Sequence, residues 1–248
     1  MLSFASPQFT ASSDMCVGSL VFSRWLVIAA AITSQREKTK LPTHISLDAV
    51  NCADWLKGLI LDGIVAGVGA GAEILVCTAL NYADSLSVSS VGKPILLVGD
   101  TLTAAQKAYL SSLPSGCSFT IVGGTNAVSA DIEAALGSYG TVDRLAGATR
   151  FETSVLVAQR YFSAPDAAVL VYALDYPDGL CAGSLGRVLG APVLLATTES
   201  TSAPAAYAGA RGIHTGYVVG GPTRIDDSAV VSILGLASAD CILVRTTK

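Results

Sequence analysis

Histidine, aromatic side chains and charge are all scarce in this chain of 248 residues. His44 and His214 stand alone, which weighs against a histidine-based catalytic pair or metal cluster. The six cysteines, Cys16, Cys52, Cys77, Cys117, Cys181 and Cys241, form no CxxC, so a structural zinc site has no support. Their scatter among apolar neighbours predicts small buried core residues. Aromatics are 6% of the chain and charged residues 14%. No positive surplus exists either: the formal net charge is −4, which excludes a general nucleic-acid binder. No apolar run approaches the roughly 18 residues that a membrane span needs. The run from Trp25 to Ile32 stops at eight. The opening LSFASPQFTASSDM lacks the basic and apolar segments of a secretory signal. The chain is therefore expected to be cytoplasmic or to begin downstream of its natural start.

What the chain does have is small apolar residues and a repeat. Half of it is hydrophobic, mostly Ala, Val and Leu, and it carries 24 glycines besides. ALNYADSL at 79–86 returns as ALDYPDGL at 173–180, 94 residues later. GKPILLVGD at 92–100 matches GAPVLLATT at 190–198, at an offset of 98. TIVGGTNAVSADIEAALGS at 120–138 matches YVVGGPTRIDDSAVVSILGL at 217–236, at 97. The slip puts about four extra residues, one helical turn, into CAGSLGRVLG.

Each copy reads as strand, polar loop with Asp84 or Asp178, short helix, and buried strand introduced by Gly-x-Pro. A turn and helix then lead to a third strand ending in Val-Gly-Gly, with a helix after the glycines. Ser129 and Asp226 are the expected N-caps. Short apolar strands alternating with helices predict an α/β fold of parallel sheets flanked by helices. Between the copies lies DRLAGATRFETSVLVAQR at 143–160, a basic Arg-Leu-Ala-Gly turn and then a helix. Its apolar residues Phe151, Val155 and Ala158 are spaced i, i+4, i+7, with Thr153, Gln159 and Arg160 opposite. DMCVGSL at 14–20 resembles DGLCAGSL at 178–185, so the N-terminus reads as a damaged copy lacking some 25 residues. The helix Cys52 to Val65 would occupy the place of the 150–161 helix, without its arginines. The predicted division is a degenerate repeat at 1–45 and two repeats at 46–142 and 143–248.

RLAGATRFETSVLVA, ALDYPDGLCAGSL, GAPVLL and VGGTNAVSADIEAAL together resemble the type 2 cell-wall-binding repeat of Gram-positive surface proteins. The resemblance implies tandem Toprim-like units in a pseudo-threefold arrangement. It implies secretion and a non-catalytic role: anchoring surface-layer proteins, adhesins or autolysins to the wall through an anionic secondary glycopolymer. No cofactor, metal, nucleic acid or membrane span is expected, and the incomplete first copy is expected to leave a face for self-association.

A polyanion is met best by bidentate arginines and by open backbone amides. The candidates are Arg144, Arg150, Arg187 and Arg224, with Gly123, Gly124, Gly220 and Gly221. Two readings stand for Arg144 and Arg150, which either take an anion or brace the junction by pairing with Asp143, Glu152 or carbonyls. The glycine pairs are either anion nests or plain strand-to-helix turns. Asp84 and Asp178 orient a polymer hydroxyl or an arginine, or else cap the next helix. Tyr82 and Tyr176 stack on sugar or pack at the core edge. Catalytic arrangements are not found: GVGAGAE at 67–73 precedes a strand, Ser184 misses Gly-x-Ser-x-Gly, and the side chains of Asp226-Asp227 would point apart at a helix start. The alternatives are a cell-wall amidase whose catalytic domain lies outside this chain, an α/β enzyme with an unrecognised site, and a cytoplasmic interaction domain that reuses the fold.

Overall fold

The computed structural model describes residues 68–237. The N-terminal copy and the helix expected at Cys52 to Val65 lie outside the described residues.

The chain enters β1 (Glu73–Thr78), then α1 (Ala83–Val88), β2 (Ile95–Val98), α2 (Ala104–Ser112), β3 (Ser118–Val122), α3 (Ala130–Leu136) and β4 (Thr141–Leu145). After α4 (Arg150–Tyr161) come β5 (Ala168–Tyr172), a 3₁₀ turn (Asp178–Cys181), α5 (Ala182–Leu189), β6 (Val193–Ala196), α6 (Ser202–Arg211), β7 (Gly216–Val219) and α7 (Asp227–Leu234). The strands form two parallel sheets, ordered β2-β1-β3-β4 and β6-β5-β7. The molecule is α/β, and no described helix is long and apolar enough to cross a membrane.

Continuous apolar strands form because both sheet faces are covered. On β1, Ile74 and Val76 enter one core and Leu75 and Cys77 the opposite one. On β5, Leu170 faces α6 and α7 residues, whereas Val169 and Val171 meet Ala83 and Leu86 of α1. A helix of the first copy thus forms part of the second sheet's cover. Close approach there needs glycine: a Cβ on Gly183 would fall 2.5 Å from the Ser89 side chain, and one on Gly186 2.7 Å from Ser90 Cβ. The extra turn in the second copy appears as the 3₁₀ segment joined to an eight-residue helix, against six residues in α1.

Three local expectations change. Thr141–Leu145 is a strand, so part of the expected Arg-Leu-Ala-Gly turn belongs to the edge of the first sheet. TVDRL alternates exposed and half-buried residues and carries no apolar run to announce it. On α4 the buried residues are Thr153, Ser154, Val157 and Ala158, because this helix packs against both α1 and β6. Ser154 Oγ accepts the Leu195 N–H of edge strand β6 at 3.2 Å, which makes a buried hydroxyl useful there. Cys77 and Cys117 are buried, but Cys181 is exposed. As expected, helices follow the glycine pairs; they start only at Ala130 and Asp227, with five residues between Gly124 or Gly221 and the helix. Ser129 and Asp226 do cap these helices, accepting from Ile132 N and Ala229 N.

Candidate functional site

In the first sheet β1 connects outward to β2, and the chain then crosses to β3 on the other side of β1. Loops leaving β1 and β3 therefore part in opposite directions, opening a crevice at their carboxyl ends. A cleft of about 470 Å³ lies there. Thr78, Asn81 and Asp84 line it from the β1 side, Gly123, Gly124 and Ala127 from the β3 side, and Gly147–Arg150 from the α4 entry. The second sheet repeats the arrangement with β6, β5 and β7, bringing Asp178 toward Gly220.

Asp84 is 9% exposed and sits in the first turn of α1, whose N-cap is Tyr82 without a side-chain bond. It does not cap the helix; the Ala83 N–H is taken by Asn81. Among the described residues its carboxylate has no hydrogen-bond partner. A Cβ on Gly123 would fall 2.4 Å from Asp84 Oδ2, and Gly123 has a φ of 109°, so this position requires glycine twice over. Burial pushes the Asp84 carboxyl from 3.8 up to about 6, against the pull of Arg150. Burial, with Asp84 adding to it, also drives the Cys77 thiol far above its usual range.

Arg150 reaches from α4 to the second copy, donating from Nη1 to Ala173 O at 2.6 Å. Its guanidinium lies 5.9 Å from the Tyr82 ring centre, and Tyr82 packs 5.7 Å from its counterpart Tyr176. Its other guanidinium nitrogens have no hydrogen-bond partner among the described residues. The α4 amino end is already occupied: Glu152 Oε2 accepts from Ala148 N at 2.7 Å and Thr149 N at 3.2 Å.

Arg144 is a brace, with its side chain 15% exposed. Nε and Nη2 hold Glu133 Oε2 at 3.2 and 2.7 Å, Nη1 donates to Gly123 O at 2.8 Å, and Nη2 to Val128 O at 3.0 Å. It locks the turn that carries the first glycine pair. Arg187 lies elsewhere, exposed on α5 and lying against Gly92, where a Cβ would fall 2.5 Å from its Cζ. Arg224 binds Asp175 Oδ2 at 3.1 Å, approaches Asp178 Oδ2 at 3.9 Å and stacks 4.9 Å from the Tyr172 ring. Gly220 has a φ of 131° and, with Gly221, leads into the turn that carries Arg224.

The structure thus brings Asp84, Gly123, Gly124 and Arg150 together, and separately Asp178, Gly220, Gly221 and Arg224. Sequence reasoning passed over Asn81, Ala127 and Glu133. The first two were legible as differences, since they stand opposite Asp175 and Arg224 when the copies are aligned. Glu133 carried no signal, being one more acid on an amphipathic helix.

The chain matches the family described as cell wall binding domain 2 over residues 30–133 and 144–230. It is 30% identical over 128 residues to the amidase enhancer of Bacillus subtilis, covering 50% of this chain and 18% of that protein. It is 32% identical over 147 residues to an uncharacterized protein of Pyrococcus horikoshii, covering 56% and 44% respectively. Among solved structures, Cwp8 from Clostridium difficile aligns with a TM-score of 0.59 at 24% identity, covering 72% of this chain and 32% of that one. Cwp6 from the same organism aligns at 0.61 and 20%, covering 71% and 30%. The chain spans less than half of each of these proteins, and the structural likeness speaks for the fold.

Proposed function

The chain belongs to the cell wall binding domain 2 family, and from that premise we propose that it anchors a longer surface protein non-covalently by binding an anionic secondary wall polymer. The observation that carries this reading is the cleft at the first topological switch point. There a guanidinium with uncommitted donors, Arg150, stands over a glycine turn that Arg144 holds rigid. Arginine offers planar paired donors to phosphate or carboxylate, and a rigid frame lowers the ordering cost of binding. Each wall polymer presents its anions many times, so modest single contacts add through multivalency.

Relatives roughly two to three times as long support a modular role, in which the cargo activity lies outside the matched segment. The name of the Bacillus subtilis relative favours wall turnover as one context, with this chain as the anchoring part beside an amidase function carried elsewhere. A cell-wall location on the outer surface follows from the same reading.

Sedimentation of the purified chain with Gram-positive walls, across a salt series and before and after acid extraction of secondary polymers, tests the proposal. Binding that weakens with salt and disappears with the polymer is expected, with Arg150→Gln weakening it at every salt concentration. Binding that persists on extracted walls would overturn the polymer as partner.

A further inference from the structure

The two switch points are built alike but finished differently. In the first, Asp84 is nine-tenths buried, faces an open cleft, and has no hydrogen-bond partner among the described residues. In the second, its counterpart Asp178 shares Arg224 with Asp175, at 3.9 and 3.1 Å. The difference comes from two coordinated positions. Arg224 stands where the first copy has Ala127, and Asp175 where it has Asn81. Neither change alone would close the site: an arginine at 127 would lack its 3.1 Å partner, and an acid at 81 would lack its cation. Together they set across the second crevice a partly exposed ion pair whose guanidinium is stacked on Tyr172.

We propose that the first switch point is a sugar subsite, in which Asp84 accepts hydrogen bonds from the hydroxyls of one saccharide unit while Arg150 takes that unit's anionic substituent, and that the second switch point is closed by Arg224. The inference rests on the wall-polymer reading and deepens it. A buried carboxylate calls for donors. A metal ion is a poor occupant, because a hard cation takes about six oxygen ligands and Arg150 opposes it at this place. A purely anionic group is also poor, because the carboxylate repels it. A neutral polyol carrying an anion a few bonds away satisfies both side chains, and about 470 Å³ accommodates a unit of that size. Arg150 is the charged group that acts on Asp84, and Asp84 in turn acts on the Cys77 thiol; neither Arg150 nor Cys77 donates a hydrogen bond to it. Donors from the ligand would draw the Asp84 carboxyl back down from about 6.

The test uses the full chain and polysaccharide released by acid from Gram-positive walls, immobilised for affinity measurement, with thermal unfolding of every variant alongside. Asp84→Asn keeps the shape but replaces one acceptor oxygen by a donor; its affinity is expected to fall tenfold or more while Tm holds or rises. The paired change Asn81→Asp with Ala127→Arg copies the second site's closure onto the first and is expected to produce a similar loss with Tm retained. A neutral hexose added at high concentration is expected to compete. Affinity unchanged in both variants would overturn the inference while leaving wall binding in place. A fall in Tm matching the loss of binding in Asp84→Asn would make Asp84 a structural residue and overturn it too. A loss in Asp178→Asn as large as that in Asp84→Asn would overturn the one-site assignment. Failure of the unaltered chain to bind the polysaccharide at all would sink the anchoring reading, and this inference with it.

Discussion

Asp84 and Arg144 both meet the turn at Gly123 and are opposite in character. Asp84 is buried without a hydrogen bond and its carboxyl is raised to about 6, whereas the unfolded chain holds it near 3.8. The folded state therefore binds that proton more tightly, so the stabilisation is full below pH 3.8 and drains away as pH rises through 6. The loss is of the order of 3 kcal/mol above that window. Asp84→Asn, which cannot ionise, is expected to raise Tm near neutral pH and leave it nearly unchanged at about pH 4, as thermal scans at the two pH values will show. Arg144 has the reverse character, with four donor contacts in a largely buried setting. Arg144→Ala leaves Glu133 and two carbonyls without their partner and is expected to cost about 2–4 kcal/mol in urea unfolding. Arg144→Lys should recover only part of that, since an ammonium cannot span three acceptors in a plane.

At the scale of elements, the notable unit is α1 and the two serines after it, packed on glycines of the 3₁₀ turn and α5. Gly179 approaches Leu86, Gly183 approaches Ser89 and Gly186 approaches Ser90, so small residues on one side admit another helix closely. Gly183→Ala is expected to destabilise by about 1–3 kcal/mol through overpacking. The double change Gly183→Ala with Ser89→Gly should recover stability relative to Gly183→Ala alone, a non-additivity that urea midpoints will detect. The amino end of β1 carries a second fixture. Burial opposes ionisation of Glu73, but hydrogen bonds from Thr120 and Tyr161 and the nearby Lys93 prevail and hold its carboxyl below the usual value. Tyr161 reaches it from α4 at 2.7 Å, tying the linking helix to the first sheet. Burial, and then that same bond, push the phenol well above its ordinary range.

For the molecule as a whole, the consequence is that its two sheets share their covers. Leu86 lies in the first copy yet packs with Val169 and Val171 of the second, while Val157 of α4 packs with Leu75 and Cys77 of the first. The sheets are therefore expected to open in one cooperative step. Native-state hydrogen exchange should give β1 amides such as Leu75 and β5 amides such as Leu170 a common opening free energy. Leu86→Ala should lower both by about 2–4 kcal/mol. Protection lost in β5 alone would mean that the copies unfold independently.

Much of this was determined by the sequence itself. Parallel α/β units follow from apolar runs of four to six residues set between helical segments, and the repeat follows from ALNYADSL against ALDYPDGL, both properties of short windows. The caps at Ser129 and Asp226 are local too, requiring only a hydrogen bond three residues ahead. Thr141–Leu145 was not legible, because an edge strand gains its pairing from β3 and needs no apolar run of its own. Thr153 looked like a solvent-facing residue because periodicity assumes one buried face, and α4 has two. Only the tertiary structure decided which arginine is a brace and which stands at a cleft. Arg144 and Arg150 are six residues apart in one basic stretch, but one turns back to Glu133 and the other forward to Ala173. The physical reason is that a guanidinium takes the acceptors that chain crossovers bring within its reach, and those acceptors are set by how the sheets are connected.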